Sequence, residues 1–238
     1  MPKLSIEDEA LRVGINYHMC RLKNEPFDPD PEAIADFMIV QPRELFFDVN
    51  TIKKAAVSKM SVQEIRAKHK PKFNYDFTKI LIDQQPFSRG GALYTRPLGS
   101  MRYALAVLDK YGDNVWLGTL RQSANSSIDG EWSVAYHGTT DPRAAEIVRS
   151  GGLDLKEGKR FLFGHGIYCT PDPKTALAYA STYHYDGKTY KLIVQARVDP
   201  SRREIVPKSK HGVANLDDYW IAKENDAIRP YGICVFPC

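Results

Sequence analysis

The sequence has few cysteines, and their spacing indicates no metal site. The four are Cys20, Cys169, Cys234 and Cys238. No two of them form a C-x-x-C pair, so a zinc site is not indicated and we expect no bound metal. Cys234 and Cys238 lie four residues apart and could form a disulfide, but we expect free thiols in a reducing compartment.

Long apolar runs and a strong excess of one charge are also missing. One of the longest apolar runs, Ala104–Leu108, is far shorter than the roughly 18 residues that a membrane helix needs. The acidic start MPKLSIEDEA has no apolar export core, which predicts a cytoplasmic protein, or an effector that specialised machinery secretes into a host cytosol. The net charge of +4 is too small to indicate a nucleic-acid partner.

Three common motifs of nucleotide binding and nucleophilic catalysis are absent. The sequence contains neither the dinucleotide motif G-x-G-x-x-G nor the phosphate-binding motif G-x-x-x-x-G-K-[ST]. It also lacks the G-x-S-x-G turn of serine hydrolases. The composition, 43% hydrophobic and 26% charged, is nevertheless that of a globular protein with a sizeable core.

A polar stretch, Thr119–Gly130, divides the chain into two parts with different patterns. Before it, N-cap residues predict helices that begin near Ser5, Asp30 and Ser61. The apolar spacing of Met101–Tyr111 predicts the clearest helix, which Gly112 would end. We therefore expect a helical N-terminal region over residues 1–118.

After the polar stretch, alternating apolar residues predict mainly strands. The predicted strands are Trp132–His137, Gly166–Thr170, Thr189–Val198, Ile205–Val206, Tyr219–Ala222 and Ile228–Phe236. Helices are predicted from Asp141 to Gly151 and from Asp172 through Ala180. We therefore expect an α+β domain over residues 131–238, built mainly on antiparallel strands.

Three short segments of this second part carry histidine, glycine and tyrosine in an unusual order. They are WSVAYHGT (132–139), FGHGIY (163–168) and DDYWI (217–221). They resemble the catalytic domain of the diphtheria-toxin-like ADP-ribosyltransferases, the class that includes the poly(ADP-ribose) polymerases. That family has His-Gly-Thr after a strand, then Phe-Gly-x-Gly-Ile-Tyr and a second tyrosine eleven residues later, as at Tyr168 and Tyr179. The resemblance covers about residues 131–236 and implies a fold of two mostly antiparallel sheets.

The resemblance implies that NAD is the substrate, and it gives a role to each matched residue. His137 would hydrogen-bond a ribose hydroxyl, and Gly138 and Thr139 would line the NAD site. A Cβ at Gly138 would keep the backbone from approaching the carboxamide. Tyr168 and Tyr179 would stack on the two faces of the nicotinamide, whose positive charge attracts aromatic rings. The alternatives for these residues are a hydrogen-bonded core histidine and packed core tyrosines.

The third family element is usually a glutamate that faces the positive charge developing at the anomeric carbon. The nearest match in this sequence is Asp218, with Asp217 beside it, and an aspartate is one methylene shorter. This departure predicts transfer of a single ADP-ribose, and it also leaves open a site without catalysis. The family's serine that helps to hold the carboxamide is replaced by Ala176. Upstream, Arg96 or Arg102 could contact the NAD pyrophosphate or the acceptor, although Arg102 could equally lie on a helix surface.

The segments EWSVAYHGT and IRPYGI also resemble a subfamily of bacterial effectors that mono-ADP-ribosylate a threonine of host ubiquitin. The expected function is therefore NAD-dependent mono-ADP-ribosylation of a protein side chain, with ubiquitin as the suggested acceptor and residues 1–118 as its recognition part. The alternative is a non-catalytic module that binds NAD or ADP-ribose. An RNA 2′-phosphotransferase would need a His/Arg phosphate site that the sequence does not show. We expect a monomer with no nucleic-acid or membrane partner.

Overall fold

The computed structural model of the protein describes residues 73–138 except Ala106 and Ala124, then Leu153, and residues 162–238 except Asp186. Three predictions on the N-terminal part, the helices near Ser5, Asp30 and Ser61, lie outside these residues. The predicted helix from Asp141 to Gly151 and the candidate site residue Thr139 also lie outside them.

Within the described residues the chain forms a mostly antiparallel β structure with short helices. The strands are β1 (Tyr75–Asp76), β2 (Ser88–Arg89), β3 (Ala92–Leu93), β4 (Met101–Ala104), β5 (Ser133–His137), β6 (Ile167–Cys169), β7 (Thr182–Tyr185), β8 (Lys188–Val198), β9 (Arg203–Val206), β10 (Tyr219–Ala222) and β11 (Ile228–Pro237). The α-helices are α1 (Pro173–Tyr179) and α2 (Lys208–His211), and 3-10 turns cover Val115–Leu117 and Asn225–Ala227. The expected α+β, mainly antiparallel architecture is confirmed at this level.

Two sheets pack against each other around the main core. The larger sheet has the strand order β1-β4-β11-β8-β5, with β7 also paired to β8, and the smaller sheet has the order β6-β10-β9. Both consist of antiparallel pairs, and the long strands β8 and β11 pair from Val198–Ile228 to Tyr190–Pro237. The core between the sheets includes Ala135 and Ala196 from the larger one and Cys169 and Trp220 from the smaller one. Their small and aromatic side chains allow close packing of the two sheets.

The six strands predicted for the second part are found, with their ends shifted by two residues at most. The predicted helix after Asp172 is also found, as α1. The Asp172 carboxylate accepts hydrogen bonds from the backbone N–H groups of Lys174 and Thr175, and Pro173 occupies the first turn. These are the N-cap bonds and the preset proline φ that begin a helix, which explains why the sequence signal was reliable here.

The helix predicted over Met101–Tyr111 is wrong. The segment begins with β4, which lies between β1 and β11 in the larger sheet, and continues in turns. Tyr103, Leu105 and Val107 are buried, so the apolar residues follow a period of two as well as the helical spacing. Strand pairing with β11 decides between these two patterns, because tertiary contacts outweigh helix propensity.

The part of the chain before residue 118 therefore contributes strands to the larger sheet. Residues 73–118 contain no α-helix, and β1 and β4 pair in the same sheet as the strands that follow residue 131. Among the residues described in Thr119–Gly130, none belongs to a helix or strand, as the polar composition predicts. The limits at 118 and 131 stay a prediction, although the larger sheet continues across them.

Two further expectations concern free thiols and membrane-spanning helices. Cys169 and Cys234 are buried free thiols, and Cys238 is an exposed one. Cys234 and Cys238 are therefore not joined, as expected. In the part of the chain that the structure describes, no helix has the length and apolar character to cross a membrane.

Candidate functional site

The two sheets are joined at a seam formed by Tyr136 of β5 and Thr170, the residue after β6. Each of these residues donates its backbone N–H to the carbonyl of the other, at N···O distances of 2.8 and 3.0 Å. The fully buried Tyr136 side chain donates its hydroxyl to the carbonyl of Thr95 at 2.7 Å. The seam therefore fixes the position of His137, the last residue of β5.

His137 is held in one tautomer by β6. Its Nδ1 lies 2.7 Å from the carbonyl oxygen of Tyr168. Since a carbonyl only accepts hydrogen bonds, Nδ1 carries the proton and donates it. Burial lowers the pKa of His137, and the bond to Tyr168 offsets only part of this, so the ring is neutral near neutral pH. Nε2 makes no hydrogen bond to a described residue and is an acceptor suited to a ligand hydroxyl.

Gly138 follows His137 and lies against helix α1. A Cβ built on Gly138 would stand 1.8 Å from the carbonyl oxygen of Ala176 and 2.7 Å from its carbonyl carbon. No Cβ fits at that distance from a backbone atom, so the glycine is required by the packing of β5 on α1. This reason is separate from the approach of a ligand to the Gly138 backbone, which was the role expected from the sequence.

Replacing Gly138 by alanine should therefore destabilise the fold whether or not a ligand binds. We expect the free energy of unfolding to fall by about 3 kcal/mol, because the backbone of α1 or β5 must move. Denaturant unfolding measures this loss. The control is Gly187→Ala, which has open space at its Cβ and only a positive φ of 67°, and should cost about 1 kcal/mol. Equal losses at the two positions would contradict the packing explanation.

Tyr168 lies on the outer face of the smaller sheet, opposite the main core. Because side chains alternate along β6, Ile167 and Cys169 face the core, whereas the half-buried Tyr168 packs against a cluster formed by Val206, Tyr219 and Ile221. Its hydroxyl accepts a hydrogen bond from the N–H of Phe163 at 2.8 Å and donates one to the carbonyl of Gly164 at 2.9 Å. Tyr168 thus anchors the loop that precedes β6.

Tyr179, the last residue of α1, contacts Tyr219 of this cluster. Its hydroxyl oxygen lies 2.6 Å from that of Tyr219, and the two rings meet edge to face with centroids 6.2 Å apart. One helical turn earlier, Thr175 accepts a hydrogen bond at 2.8 Å from the N–H of Asp217. Tyr179 is 44% exposed, so part of its ring is available for stacking. Tyr168 thus packs against the cluster that contains Tyr219, and Tyr179 contacts Tyr219 directly.

The carboxylates before β10 are engaged with the backbone of their own loop. Asp218 accepts a hydrogen bond from the N–H of Lys208, the first residue of α2, at 2.8 Å. Asp217 accepts one from the N–H of Asp218, also at 2.8 Å. The structure therefore does not bring the Asp218 carboxylate to Tyr179, and Tyr219 is the residue of this segment that meets the second tyrosine.

The two candidate arginines make internal contacts. Arg96 forms an ion pair with Asp83, and its guanidinium lies over the ring of Phe87 at 4.3 Å from the centroid. Arg102 belongs to β4, not to a helix surface, and its Nε donates to Gln195 at 2.6 Å. It also donates to the carbonyl of Tyr231 at 3.2 Å. Both side chains have structural roles that require no ligand.

Sequence reasoning missed three residues that shape the site: Thr175, His211 and Tyr219. The signal for Tyr219 was available, because strand alternation over Tyr219–Ala222 puts residues 219 and 221 on the face shared with Tyr168. No sequence pattern points to His211, whose ring stacks on Tyr219 with centroids 4.2 Å apart. Its place follows from the fold of the loop between β9 and β10.

The described residues contain no group of three or more His, Cys, Asp or Glu side chains placed to hold a metal ion. The site offers a neutral imidazole, a glycine packed against α1, the Tyr179–Tyr219 pair, and Tyr168 packed against the cluster that contains Tyr219. Comparison of the chain with models of known protein families and with curated proteins gave no match.

Proposed function

We propose that the protein is an NAD-dependent mono-ADP-ribosyltransferase that modifies a protein side chain. The main support is that β5 ends at the seam with His137, and Gly138 follows it. On the adjoining smaller sheet, Tyr168 packs against the cluster that contains Tyr219, and the Tyr179 hydroxyl lies within hydrogen-bond distance of the Tyr219 hydroxyl. These are the residues that the family motif requires. They come from separate segments of the chain, and neighbouring contacts link these segments: His137 bonds the Tyr168 carbonyl, and Gly138 lies against the helix that ends with Tyr179.

The residues present fit the parts of NAD on chemical grounds. The Nε2 of His137, which makes no hydrogen bond to a described residue, can accept one from a ribose hydroxyl, because the bond to Tyr168 holds the proton on Nδ1. The exposed part of Tyr179 offers an electron-rich face to the positively charged nicotinamide, and such contacts contribute about 1 kcal/mol or more when water is excluded. Tyr168 would supply the second aromatic surface.

NAD supplies the chemistry when bound: its C1′–N bond breaks, nicotinamide leaves with the bonding pair, and the acceptor oxygen bonds to C1′ and releases its proton. The protein's own residues bind and orient. The His137 imidazole, fixed in one tautomer, holds a ribose hydroxyl. Tyr168 and Tyr179 position the nicotinamide ring that leaves. A hydroxyl acceptor, such as a threonine of ubiquitin, is the finer part of the proposal.

A second candidate is a module that binds NAD or ADP-ribose without catalysis. One observation favours it: the carboxylates of Asp217 and Asp218 accept hydrogen bonds from backbone N–H groups of their own loop, and neither bonds to Tyr168 or Tyr179 in the described structure. Without a carboxylate, positive charge at the anomeric carbon is stabilised less.

Nicotinamide release from NAD separates the two candidates. We expect release by the full chain, faster when an acceptor protein is present, with calorimetric titration recording NAD binding in parallel. NAD binding without release would favour the module. If the full chain neither binds NAD nor releases nicotinamide, both candidates are overturned.

A further inference from the structure

We propose that Tyr219, and not Asp218, is the third side chain of the NAD site, and that its hydroxyl acts with that of Tyr179 as one hydrogen-bond donor toward the nicotinamide ribose. This inference rests on the proposed function and names a residue that the family motif does not supply. It concerns how the ribose is held.

The side chains of Asp218 and Tyr219 point in different directions. Asp218 points to Lys208 and satisfies the backbone at the start of α2. Tyr219, the next residue, is the first of β10 and lies on the face of the smaller sheet that also carries Ile221 and Tyr168. An aspartate at 218 would have to leave its hydrogen bond to reach this face, whereas Tyr219 already lies there.

The Tyr219 ring is held in a fixed position, and the residue is only 8% exposed. His211 stacks on it with centroids 4.2 Å apart and planes inclined by 20°. His211 is itself fixed, because its Nδ1 accepts the N–H of Val213 at 3.1 Å and its Nε2 donates to the carbonyl of Asp217 at 3.0 Å. Phe163 lies on a further side, with its centroid 6.3 Å from that of Tyr219. The phenol is therefore preorganised.

The hydroxyls of Tyr179 and Tyr219 form a hydrogen-bonded pair. At 2.6 Å, one proton lies between the oxygens of Tyr179 and Tyr219, and whichever residue donates it, the other keeps an O–H for a further partner. A donor that itself accepts a hydrogen bond is a stronger donor. Burial and the bond to Tyr179 raise the pKa of Tyr219, so the Tyr219 phenol is neutral at physiological pH.

The neutral phenol of Tyr219 has a defined chemical consequence. It can donate to a ribose oxygen and so orient the sugar, but it carries no negative charge to stabilise the positive charge at C1′. Tyr219 is thus expected to contribute to NAD affinity and orientation more than to the rate of bond cleavage.

The test is a cycle between the protein hydroxyl and the ribose hydroxyl. NAD and an analogue with hydrogen in place of the 2′-hydroxyl of the nicotinamide ribose are titrated into the full chain and into the Tyr219→Phe variant. Phenylalanine keeps the ring and its stack on His211. We expect Tyr219→Phe to weaken NAD binding about tenfold and to leave the analogue's affinity unchanged within about twofold. A purely structural role would weaken both ligands equally.

Asp218→Asn is the matched control, because its amide oxygen can still accept the Lys208 N–H. We expect NAD affinity and nicotinamide release to remain within about twofold of the wild type. The inference is overturned if Asp218→Asn lowers release while Tyr219→Phe binds both ligands like the wild type, a result that leaves the transferase proposal intact. It is also overturned if the wild type binds no NAD, and in that case the proposed function fails with it.

Discussion

Replacing Glu131 by alanine is expected to lower the free energy of unfolding by about 3–5 kcal/mol. Glu131 is buried just before β5, and its carboxylate accepts hydrogen bonds from Arg197 at 3.0 Å and from Arg121. The Arg197 side chain is only 4% exposed and also donates to the carbonyl of Trp132. Without Glu131 the Arg197 charge stays buried and unpaired, which is far more costly than the loss of a surface pair.

Denaturant unfolding of three variants checks this prediction. Glu131→Gln keeps the shape and an accepting oxygen, so it should cost less than Glu131→Ala and serves if the alanine variant does not fold. Glu224→Ala is the matched control, because this carboxylate is 61% exposed and Arg202 keeps Asp199 and Asp226 as partners. We expect the control to cost less than about 1 kcal/mol. A similar cost for Glu131→Ala and Glu224→Ala would refute the buried-network account.

Replacing Tyr168 by alanine is expected to lower kcat/KM for nicotinamide release about five- to thirtyfold. The variant removes one aromatic face from the nicotinamide, worth about 1–2 kcal/mol, and each 1.4 kcal/mol changes a rate about tenfold. Tyr168→Phe keeps the ring and loses only the hydrogen bonds to Phe163 and Gly164. It should therefore retain release within about threefold of the wild type. Initial rates of nicotinamide release at NAD concentrations below KM, which report kcat/KM, measure both effects.

The control for a lost tyrosine is Tyr75→Ala. Tyr75 lies in β1, is 48% exposed and contacts the ring of Phe77. We expect it to release nicotinamide at the wild-type rate. If a folded Tyr168→Ala variant is as active as the wild type, Tyr168 does not stack on the nicotinamide and its role is limited to anchoring the loop before β6.

The sequence predicts those parts of the fold in which local signals and tertiary contacts agree. Asp172-Pro173 begins α1 because the cap and the proline act within one turn. The strand Tyr219–Ala222 was placed correctly, because bulky apolar residues fit a buried strand. The helix prediction for Met101–Tyr111 was wrong because the apolar residues of this segment fit both the helical period and the strand period of two. Only the pairing of β4 with β11, more than a hundred residues away in the chain, selects the strand.

The site was predictable in part for the same reason. A motif of short segments at fixed spacings proposes His137, Gly138, Tyr168 and Tyr179 as candidates, because each lies within one such segment. The direction of Asp218 depends on the turn that begins α2, and that turn depends on the loop between β9 and β10. Contacts across this loop, such as the stacking of His211 on Tyr219, leave no trace in a helix or strand pattern.

The central claim is that the protein transfers ADP-ribose from NAD to a protein. Intact-mass spectrometry of ubiquitin and of an unrelated protein, each incubated with the full chain and NAD, tests it most directly. The account predicts the addition of a single ADP-ribose to ubiquitin, none to the control protein, and fragmentation that places the group on a threonine. Unmodified ubiquitin together with no release of nicotinamide would contradict the claim, whereas release without an adduct would contradict the choice of ubiquitin alone.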